Sequence, residues 1–406
     1  MPFTPSQSLL GRPALLAVVL GALTALGPFT MDLYLPAFPE VQRDLAAPAT
    51  AVQMTLTATA VGMGIGQLVV GPLSDTLGRR IPLVVATALH VVASALIALS
   101  PVIEIVAIAR FAQGFGAAGG AVVAAAMVRD LFGGKKLVKM AAQIALVTGF
   151  APIIAPVIGS QLLVVMSWRG VFWILAAYGV AILLAAGLLI PETRVRDGRA
   201  FSFRATFGNL RVLVRDRIYM STAAVSAMVF AIIITYLSTS SFIYQTGFGV
   251  SAQAFGVIFA ATSCGVVAAT QVAAWLMRRV RPAVLLACAM PVVVLVGAVF
   301  ILIDAADLGI IWMVIASFLV VAFHGFCNPC MQVLILADHE EESGAAVAMS
   351  GFVNSLLGGG LSLLPALLGG IGPTSLGVIV VGAGTVGAVV IFIALRPGST
   401  AALAAN

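Results

Sequence analysis

The stretch Gly71-Pro72-Leu73-Ser74-Asp75-Thr76-Leu77-Gly78-Arg79-Arg80 is a short polar interruption between two long apolar runs, residues 50–72 and 81–100. Its glycines permit a tight turn at a membrane face. Asp75 lies near a helix end, where it can pair with a base, and the two arginines can face an anionic leaflet. The stretch therefore predicts a loop that joins two membrane helices on their cytoplasmic side.

The composition of the whole chain agrees with membrane helices. Of its 406 residues, 61% are hydrophobic and 9% are charged, whereas soluble domains carry about 25% charged residues. The apolar runs are too long and continuous for barrel strands, and each is near the roughly 20 residues that a helix needs to cross a bilayer. We predict an all-α membrane protein with twelve transmembrane helices. Their predicted limits are 13–35, 50–72, 81–100, 102–129, 138–165, 169–190, 218–244, 252–277, 282–303, 308–335, 344–369 and 372–395.

The basic residues predict the orientation of these helices. If the N-terminus is cytoplasmic, all but three of the 21 lysines and arginines fall on the inner side, the exceptions being Arg43, Arg110 and Arg169. This distribution is the positive-inside bias, so we predict that both termini are cytoplasmic. The net charge of +6 then reflects orientation, and we expect no nucleic-acid partner.

The longest polar segment divides the predicted helices into six and six. We predict an N-terminal six-helix bundle over 1–190, a cytoplasmic linker over 191–217 and a C-terminal six-helix bundle over 218–406. The fifth and eleventh runs are both rich in glycine and proline. Because these two runs occupy the same position in each half, their similar glycine and proline content suggests a duplicated six-helix unit, as in transporters with parallel repeats.

Two charged residues interrupt apolar runs. Asp32 ends the first run, and a carboxylate within a membrane span costs roughly 2.5–3.5 kcal/mol, so such groups usually have a function. The alternative is that Asp32 caps a helix at the outer interface. Arg110 lies in the fourth run with Gln113 one turn away. An arginine keeps its charge and can hold a carboxylate, a polar drug group or water; the alternative is a structural arginine satisfied by backbone carbonyls.

Three stretches resemble motifs of the major facilitator superfamily. Residues 71–80 resemble its signature loop, with Thr76 in place of the usual base. Residues 110–114, Arg-Phe-Ala-Gln-Gly, resemble its R-x-x-Q-G element, and residues 149–160 resemble its antiporter motif, with alanine and serine replacing two glycines. In that family the loop stabilises one conformation through charge contacts, so Asp75 with Arg129 or Arg79 is a gating candidate. The gating residues that the resemblance implies are Asp75, Gly78, Arg79, Arg80, Arg129, Gly149, Pro152, Pro156 and Gly159.

Four further stretches narrow the resemblance to the bicyclomycin/chloramphenicol-resistance subgroup of drug:proton antiporters: residues 31–37, 53–57, 167–169 and 191–194. The subgroup implies two pseudo-symmetric six-helix bundles, a bacterial inner membrane, alternating access to a central cavity, and a proton-binding acid at Asp32 that acts with Arg110. Related exporters carry a further acid about two turns earlier, where this chain has Thr24, so we expect mainly neutral drugs. The predicted substrate-binding residues are Phe29, Asp32, Tyr34, Met54, Arg110, Gln113, Tyr236 and Asn328.

The resulting expectation is proton-driven efflux of small lipophilic antibiotics such as chloramphenicol by a monomer in the bilayer, with the proton gradient as energy source and no cofactor. His324 is a second group that could titrate or contact the substrate; the alternative is a hydrogen-bonded histidine that packs between helices. The alternative function is a facilitator or importer of a sugar or organic acid. A receptor would need a larger soluble region. The sequence contains no metal cluster, phosphate-binding loop or nucleophilic triad, so we expect no metal and no enzyme.

Overall fold

A computed structural model describes residues 13–190, 192–193, 212–337, 343–366, 368 and 370–395. These residues are almost entirely helical, because backbone polar groups in lipid must be satisfied within the spanning segment. The described residues hold twelve helical stretches long and apolar enough to cross a membrane. The predicted fold class, an all-α protein with twelve transmembrane helices, is confirmed.

The first six spans contain seven α-helices. They are α1 (Pro13–Asp32), α2 (Phe38–Asp44), α3 (Ala49–Leu77), α4 (Arg80–Leu99), α5 (Ile103–Leu131), α6 (Gly134–Val165) and α7 (Trp168–Leu189). A 3-10 turn, Leu35–Ala37, joins α1 to α2, so the first span continues to Asp44. The helices are connected by short turns, and the turn that follows Asp44 contains Ala46, which has a positive φ of 47°.

The last six spans contain three π-helical segments. The α-helices are α8 (Arg217–Phe242), α9 (Ala252–Leu276), α10 (Pro282–Ala305), α11 (Ile310–Leu336), α12 (Ser343–Val353), α13 (Gly359–Leu361) and α14 (Pro373–Val390). The π-helical segments are Ile243–Gly247, Asn354–Gly358 and Ile391–Leu395, and Leu364–Ala366 is a 3-10 turn. The eleventh span was predicted over 344–369 but ends at Leu361, because Pro365 cannot continue a regular helix.

The chain forms two compact units. The first contains the described residues of Met1–Phe203 together with Val250–Ala260, and the second contains those of Arg204–Gly249 and Ala261–Asn406. The predicted domain limits stay a prediction, since residues 194–211 of the predicted linker lie outside the described part of the chain.

The predicted loop over 71–80 is shorter than expected. Helix α3 continues through Pro72 to Leu77, and Gly78 is the turn residue before α4. The hydroxyl groups of Ser74 and Thr76 donate to the carbonyls three residues before them, so the polar residues of this stretch lie on the last helical turn. The prediction of a ten-residue loop was wrong because polarity marks the membrane surface, and it does not mark the end of the helix.

Glycines bring three helices of the first unit into backbone contact. A Cβ added to Gly114 of α5 would lie 2.1 Å from the Thr59 carbonyl oxygen of α3, and one added to Gly116 would lie 2.4 Å from the Ala86 oxygen of α4. Small residues allow such close approach between membrane helices. The close packing holds α5, which carries Arg110, against both neighbours.

Candidate functional site

Asp32 is the last residue of α1 and lies inside the first span. The residue is 5% exposed, and the chain continues into a buried 3-10 turn whose N-cap is Tyr34. A carboxylate caps a helix by accepting free N–H groups at its N-terminus, whereas Asp32 is at a C-terminus. Neither the 3-10 turn nor α2 has a side-chain cap. The structure therefore does not support the alternative that Asp32 is a helix cap.

The carboxyl of Asp32 has no hydrogen bond and no ion pair with any residue that the structure describes. Buried polar side chains usually have a hydrogen-bond partner, and buried charges are usually paired. Asp32 is thus a buried acid that contributes no bond to the fold around it.

Arg110 of α5 is fully buried and holds the end of α1. Its Nη1 donates to the backbone oxygen of Thr30 at 2.8 Å and to Oε1 of Gln113 at 2.8 Å. The last carbonyls of a helix lack partners within the helix, and a positive charge is favourable at that end. Arg110 therefore caps the turn that carries Asp32, and no ion pair joins these two described residues.

Two aromatic rings complete the surroundings of the guanidinium. Its Cζ lies 4.9 Å from the ring centroid of Tyr34 and 5.7 Å from that of Phe172, and the two rings are 5.0 Å apart. Such contacts stabilise a cation without a carboxylate. Nε and Nη2 of Arg110 have no hydrogen-bond partner among the described residues. These two groups form the parallel fork that binds planar two-oxygen groups, so the fork is unused.

A set of hydrogen bonds that we call the Thr30 network connects α1, α4 and α5. Gln113 Nε2 donates to Ser94 Oγ at 2.8 Å, and Ser94 Oγ donates to the backbone oxygen of His90 at 2.7 Å. His90 Nε2 lies 2.9 Å from Thr30 Oγ1. The network consists of Thr30, His90, Ser94, Arg110 and Gln113, and it places both predicted residues, Arg110 and Gln113, in one polar cluster.

A second charged cluster, which we call the Arg79 cluster, lies where α3 meets α4. Arg79 is 4% exposed. Its Nη1 donates to Asp75 Oδ1 at 2.7 Å and to Ser74 Oγ at 2.8 Å, and its Nε donates to Asp130 Oδ2 at 2.8 Å. Burial alone would lower the pKa of the Arg79 guanidinium, but its bonds to Asp130 and Asp75 raise that pKa above its ordinary value. Of the two predicted partners of Asp75, the structure pairs it with Arg79, whereas Arg129 is exposed.

Glu192 joins this cluster from beyond α7. Its carboxylate accepts from the backbone nitrogens of Arg79 at 2.7 Å and Arg80 at 3.1 Å, so it caps the N-terminus of α4. Gly78 has a φ of +87°, and a Cβ there would lie 2.6 Å from Glu192 Oε2. Arg80 also donates to the Gly187 carbonyl. Four of the predicted gating residues, Asp75, Gly78, Arg79 and Arg80, therefore lie together, and Asp130 and Glu192 were missed.

The fifth span touches the Asp32 turn at one glycine. Helix α6 runs through both Pro152 and Pro156. A Cβ on Gly159 would lie 2.1 Å from the backbone oxygen of Leu33, whereas one on Gly149 would meet nothing within 4 Å. Of the glycines predicted in the antiporter-like stretch, Gly159 is therefore the one that brings α6 against the end of α1.

Comparison with known proteins identifies the family. The family model described as Major Facilitator Superfamily matches residues 20–363. The chain belongs to the major facilitator superfamily. It is 33% identical to an uncharacterized transporter of this superfamily, YdgK, from Bacillus subtilis, over 87% of this chain and 88% of that protein.

Two other relatives of this superfamily member carry names that refer to drugs. The bicyclomycin resistance protein homolog of Haemophilus influenzae is 31% identical over 87% of each chain. The multidrug resistance protein MdtL of Shigella flexneri is 27% identical over 60% of this chain and 61% of that protein. The predicted resemblance to the bicyclomycin/chloramphenicol-resistance subgroup is confirmed.

Solved structures of the superfamily share the fold. A bacterial homolog of the human lysosomal transporter Spinster aligns with a TM-score of 0.73 at 14% identity, over 97% of this chain and 98% of that one. The nucleoside transporter NupG aligns with a TM-score of 0.75 at 13% identity, over 95% of this chain and 100% of that one. At these identities the likeness concerns the fold alone. The chain is a multi-pass membrane protein with a transporter fold.

The other predicted substrate-binding residues lie in different surroundings. Phe29 is half-buried with its ring 5.7 Å from that of Tyr178. Met54 is 51% exposed, whereas its neighbour Gln53 is buried. In the second unit, Tyr236 is buried, and Asn328 is half-buried and accepts from Gln332 at 3.2 Å. Their binding role stays a prediction.

Proposed function

We propose that this protein is a proton-coupled multidrug exporter of a bacterial inner membrane, with cytoplasmic termini, that exports small lipophilic and mainly neutral antibiotics such as chloramphenicol. One observation carries the proposal: the buried carboxyl of Asp32 has no bond to any described residue. A structural acid in a membrane span would be expected to have a partner. An acid that holds nothing in place can take up and release a proton without loss of the fold.

In this proposal Asp32 and Arg110 have different roles. Asp32 changes its charge, while Arg110 keeps its charge throughout. Arg110 caps the turn that Asp32 terminates, so a change of charge at Asp32 alters the field at the end of the helix that Arg110 holds. The unused Nε and Nη2 fork supports a second role of Arg110, since it can bind a nitro, carbonyl or similar acceptor group of a drug.

Coupling then follows from competition between the proton and the drug. A proton taken up by Asp32 from outside weakens drug binding and favours release, and a drug bound from inside favours loss of that proton to the cytoplasm. By linkage, each ligand lowers the affinity for the other by the same factor. With one proton and a neutral drug, each cycle moves one charge, worth about 2.3 kcal/mol per 100 mV.

Other parts of the proposal rest on the sequence and the relatives. The names of the Haemophilus influenzae and Shigella flexneri relatives support drugs as the substrate class. The exporter is proposed to act as a monomer with no cofactor. The residues proposed to contact the drug beside Asp32 and Arg110 are Phe29, Tyr34, Met54, Gln113, Tyr236 and Asn328.

Proton release on drug binding tests the proposal. Chloramphenicol is added to purified protein in weakly buffered detergent, for wild type, Asp32→Asn and Glu104→Gln. Glu104 is an exposed acid in the first turn of α5 and serves as the matched control. We expect release from wild type and Glu104→Gln and none from Asp32→Asn. Equal release from Asp32→Asn would overturn the role of Asp32. Binding of chloramphenicol to wild type without any release would overturn the coupling and favour a facilitator.

A further inference from the structure

We infer that His90 is a positioning residue that holds the last turn of α1 and, through it, the guanidinium of Arg110. The inference rests on the proposed function, since it gives the transport site a residue that sequence analysis did not single out. His90 lies on α4, is fully buried, and has its Nε2 2.9 Å from Thr30 Oγ1. Thr30 is the residue whose carbonyl accepts from Arg110.

A count of hydrogens fixes the direction of the bond between His90 and Thr30. The threonine hydroxyl has one hydrogen, and it donates to the Leu26 carbonyl at 2.6 Å. The hydroxyl can therefore only accept from His90, so the hydrogen of the imidazole lies on Nε2. Thr30 is thus held twice: α4 binds its side chain and α5 binds its main chain.

The Thr30 network closes on His90 itself. From Arg110 the bonds run through Gln113 to Ser94, and Ser94 returns to the backbone oxygen of His90. A closed network of this kind fixes each member in relation to the others. If the His90 side-chain bond were lost, α4 would no longer hold the side chain of Thr30. Arg110 would then be bonded to a less fixed end of α1.

The surroundings of the imidazole argue against a role in packing alone. Two glycines leave the space that the imidazole occupies. A Cβ on Gly116 would lie 3.0 Å from the Cβ of His90, and one on Gly179 would lie 3.2 Å from its Nδ1. Nδ1 has no hydrogen-bond partner among the described residues. A buried polar atom without a partner is unfavourable, so an apolar side chain would serve packing better. The feature that an apolar side chain could not supply is the Nε2 donor.

The test detects a change in the surroundings of Arg110 by NMR, in the absence of any drug. Protein labelled with 15N-arginine is studied by NMR in detergent, and the Nε–H signal of Arg110 is assigned by its loss in Arg110→Lys. The variants are His90→Met, which removes the donor, His90→Gln, whose amide nitrogen can replace Nε2, and Thr30→Val, which removes the acceptor and keeps the shape. Chloramphenicol-induced proton release is then measured on the same samples.

We expect His90→Met and Thr30→Val to shift the Nε–H signal of Arg110. Both variants remove the buried bond between His90 and Thr30, so the surrounding structure should open more often. Hydrogen exchange at Arg110 Nε should then be about fivefold to tenfold faster, as expected for the loss of one buried hydrogen bond. His90→Gln should restore the wild-type signal, and proton release should fall with the two disruptive variants alone. An unchanged Arg110 signal in folded His90→Met would overturn the inference. If wild type releases no proton with chloramphenicol, the proposed function fails, and the drug-free NMR signal still decides the role of His90.

Discussion

Two buried arginines of the first unit are held in opposite ways. Arg79 bonds two carboxylates, at 2.7 Å and 2.8 Å. Arg110 bonds no carboxylate among the described residues, and its partners are a carbonyl, an amide and two aromatic rings. A cation matched by opposite charges favours one arrangement of its helices, whereas a cation without a counter-ion stays responsive to a new charge or ligand. The comparison therefore supports a role of Arg79 in holding helices together and the proposed role of Arg110 in transport.

The largest effect is expected at Arg110. Arg110→Met removes the charge, the cap on α1 and the unused fork, so the initial rate of chloramphenicol efflux from proteoliposomes should fall at least about 100-fold, as expected from the loss of two charged hydrogen bonds. Arg110→Lys keeps the charge and loses the planar fork, so we expect a loss of about tenfold. Wild-type efflux by folded Arg110→Met would remove Arg110 from the transport site.

The contact of α6 with the end of α1 gives the next effect. Gly159→Ala places a methyl group against the Leu33 carbonyl, and such overpacking should lower the free energy of unfolding by about 1–3 kcal/mol. Gly149→Ala is the control on the same helix, since its Cβ meets nothing within 4 Å; it should leave the free energy of unfolding unchanged or raise it by up to about 1 kcal/mol, because alanine favours a helix more than glycine does. Thermal unfolding in detergent measures both. Equal melting temperatures for the two variants would contradict the close packing at Gly159.

A third variant tests the backbone of the Arg79 cluster. Gly78→Ala puts a side chain at a φ of +87° and against the carboxylate of Glu192. With a ψ of 165° this backbone conformation is essentially restricted to glycine, so the strain alone should cost about 1–3 kcal/mol. Gly78→Ala combined with Glu192→Ala should lose less than the sum of the two single changes, because the clash is then absent. Strict additivity in the melting temperatures would show that Glu192 does not contact this turn.

The smallest effect is expected from the partly exposed carboxylates of the Arg79 cluster. The side chain of Asp130 is 22% exposed and that of Asp75 is 51% exposed. We expect Asp130→Asn to lower the free energy of unfolding by about 1 kcal/mol and Asp75→Asn by less, since solvent screens the more exposed pair. High salt should reduce both effects. Arg129→Gln, which changes an exposed charge one residue away, should leave the melting temperature as in wild type. A larger loss there than in Asp130→Asn would show that Arg129 also stabilises this region.

The sequence predicts the spans well, because each must supply a continuous apolar run of bilayer length. It also singles out Asp32 and Arg110, since a charge in such a run is conspicuous. It does not reveal the partner of either residue. The sequence suggests that the two act as a pair, but Arg110 reaches the Thr30 carbonyl, a backbone group that no residue pattern distinguishes.

The missed residues share one property. His90, Asp130 and Glu192 act on residues that are distant in the chain, and their roles depend on which helices are neighbours. Their polarity alone marks a helix face or a membrane surface. A signal was present for His90, which lies four residues before Ser94 on one face of α4, but a polar pair in a span has several explanations until its neighbours are known.

Uphill transport by Asp32→Asn tests the central claim most directly. Purified protein is reconstituted in proteoliposomes, a proton gradient is imposed, and accumulation of radiolabelled chloramphenicol against its own gradient is followed. Wild type and Glu104→Gln should accumulate the drug. Asp32→Asn should bring it only to equal concentrations on both sides, because its amide cannot carry a proton. Accumulation by Asp32→Asn at the wild-type rate would show that the proton is carried elsewhere and would contradict the proposed mechanism.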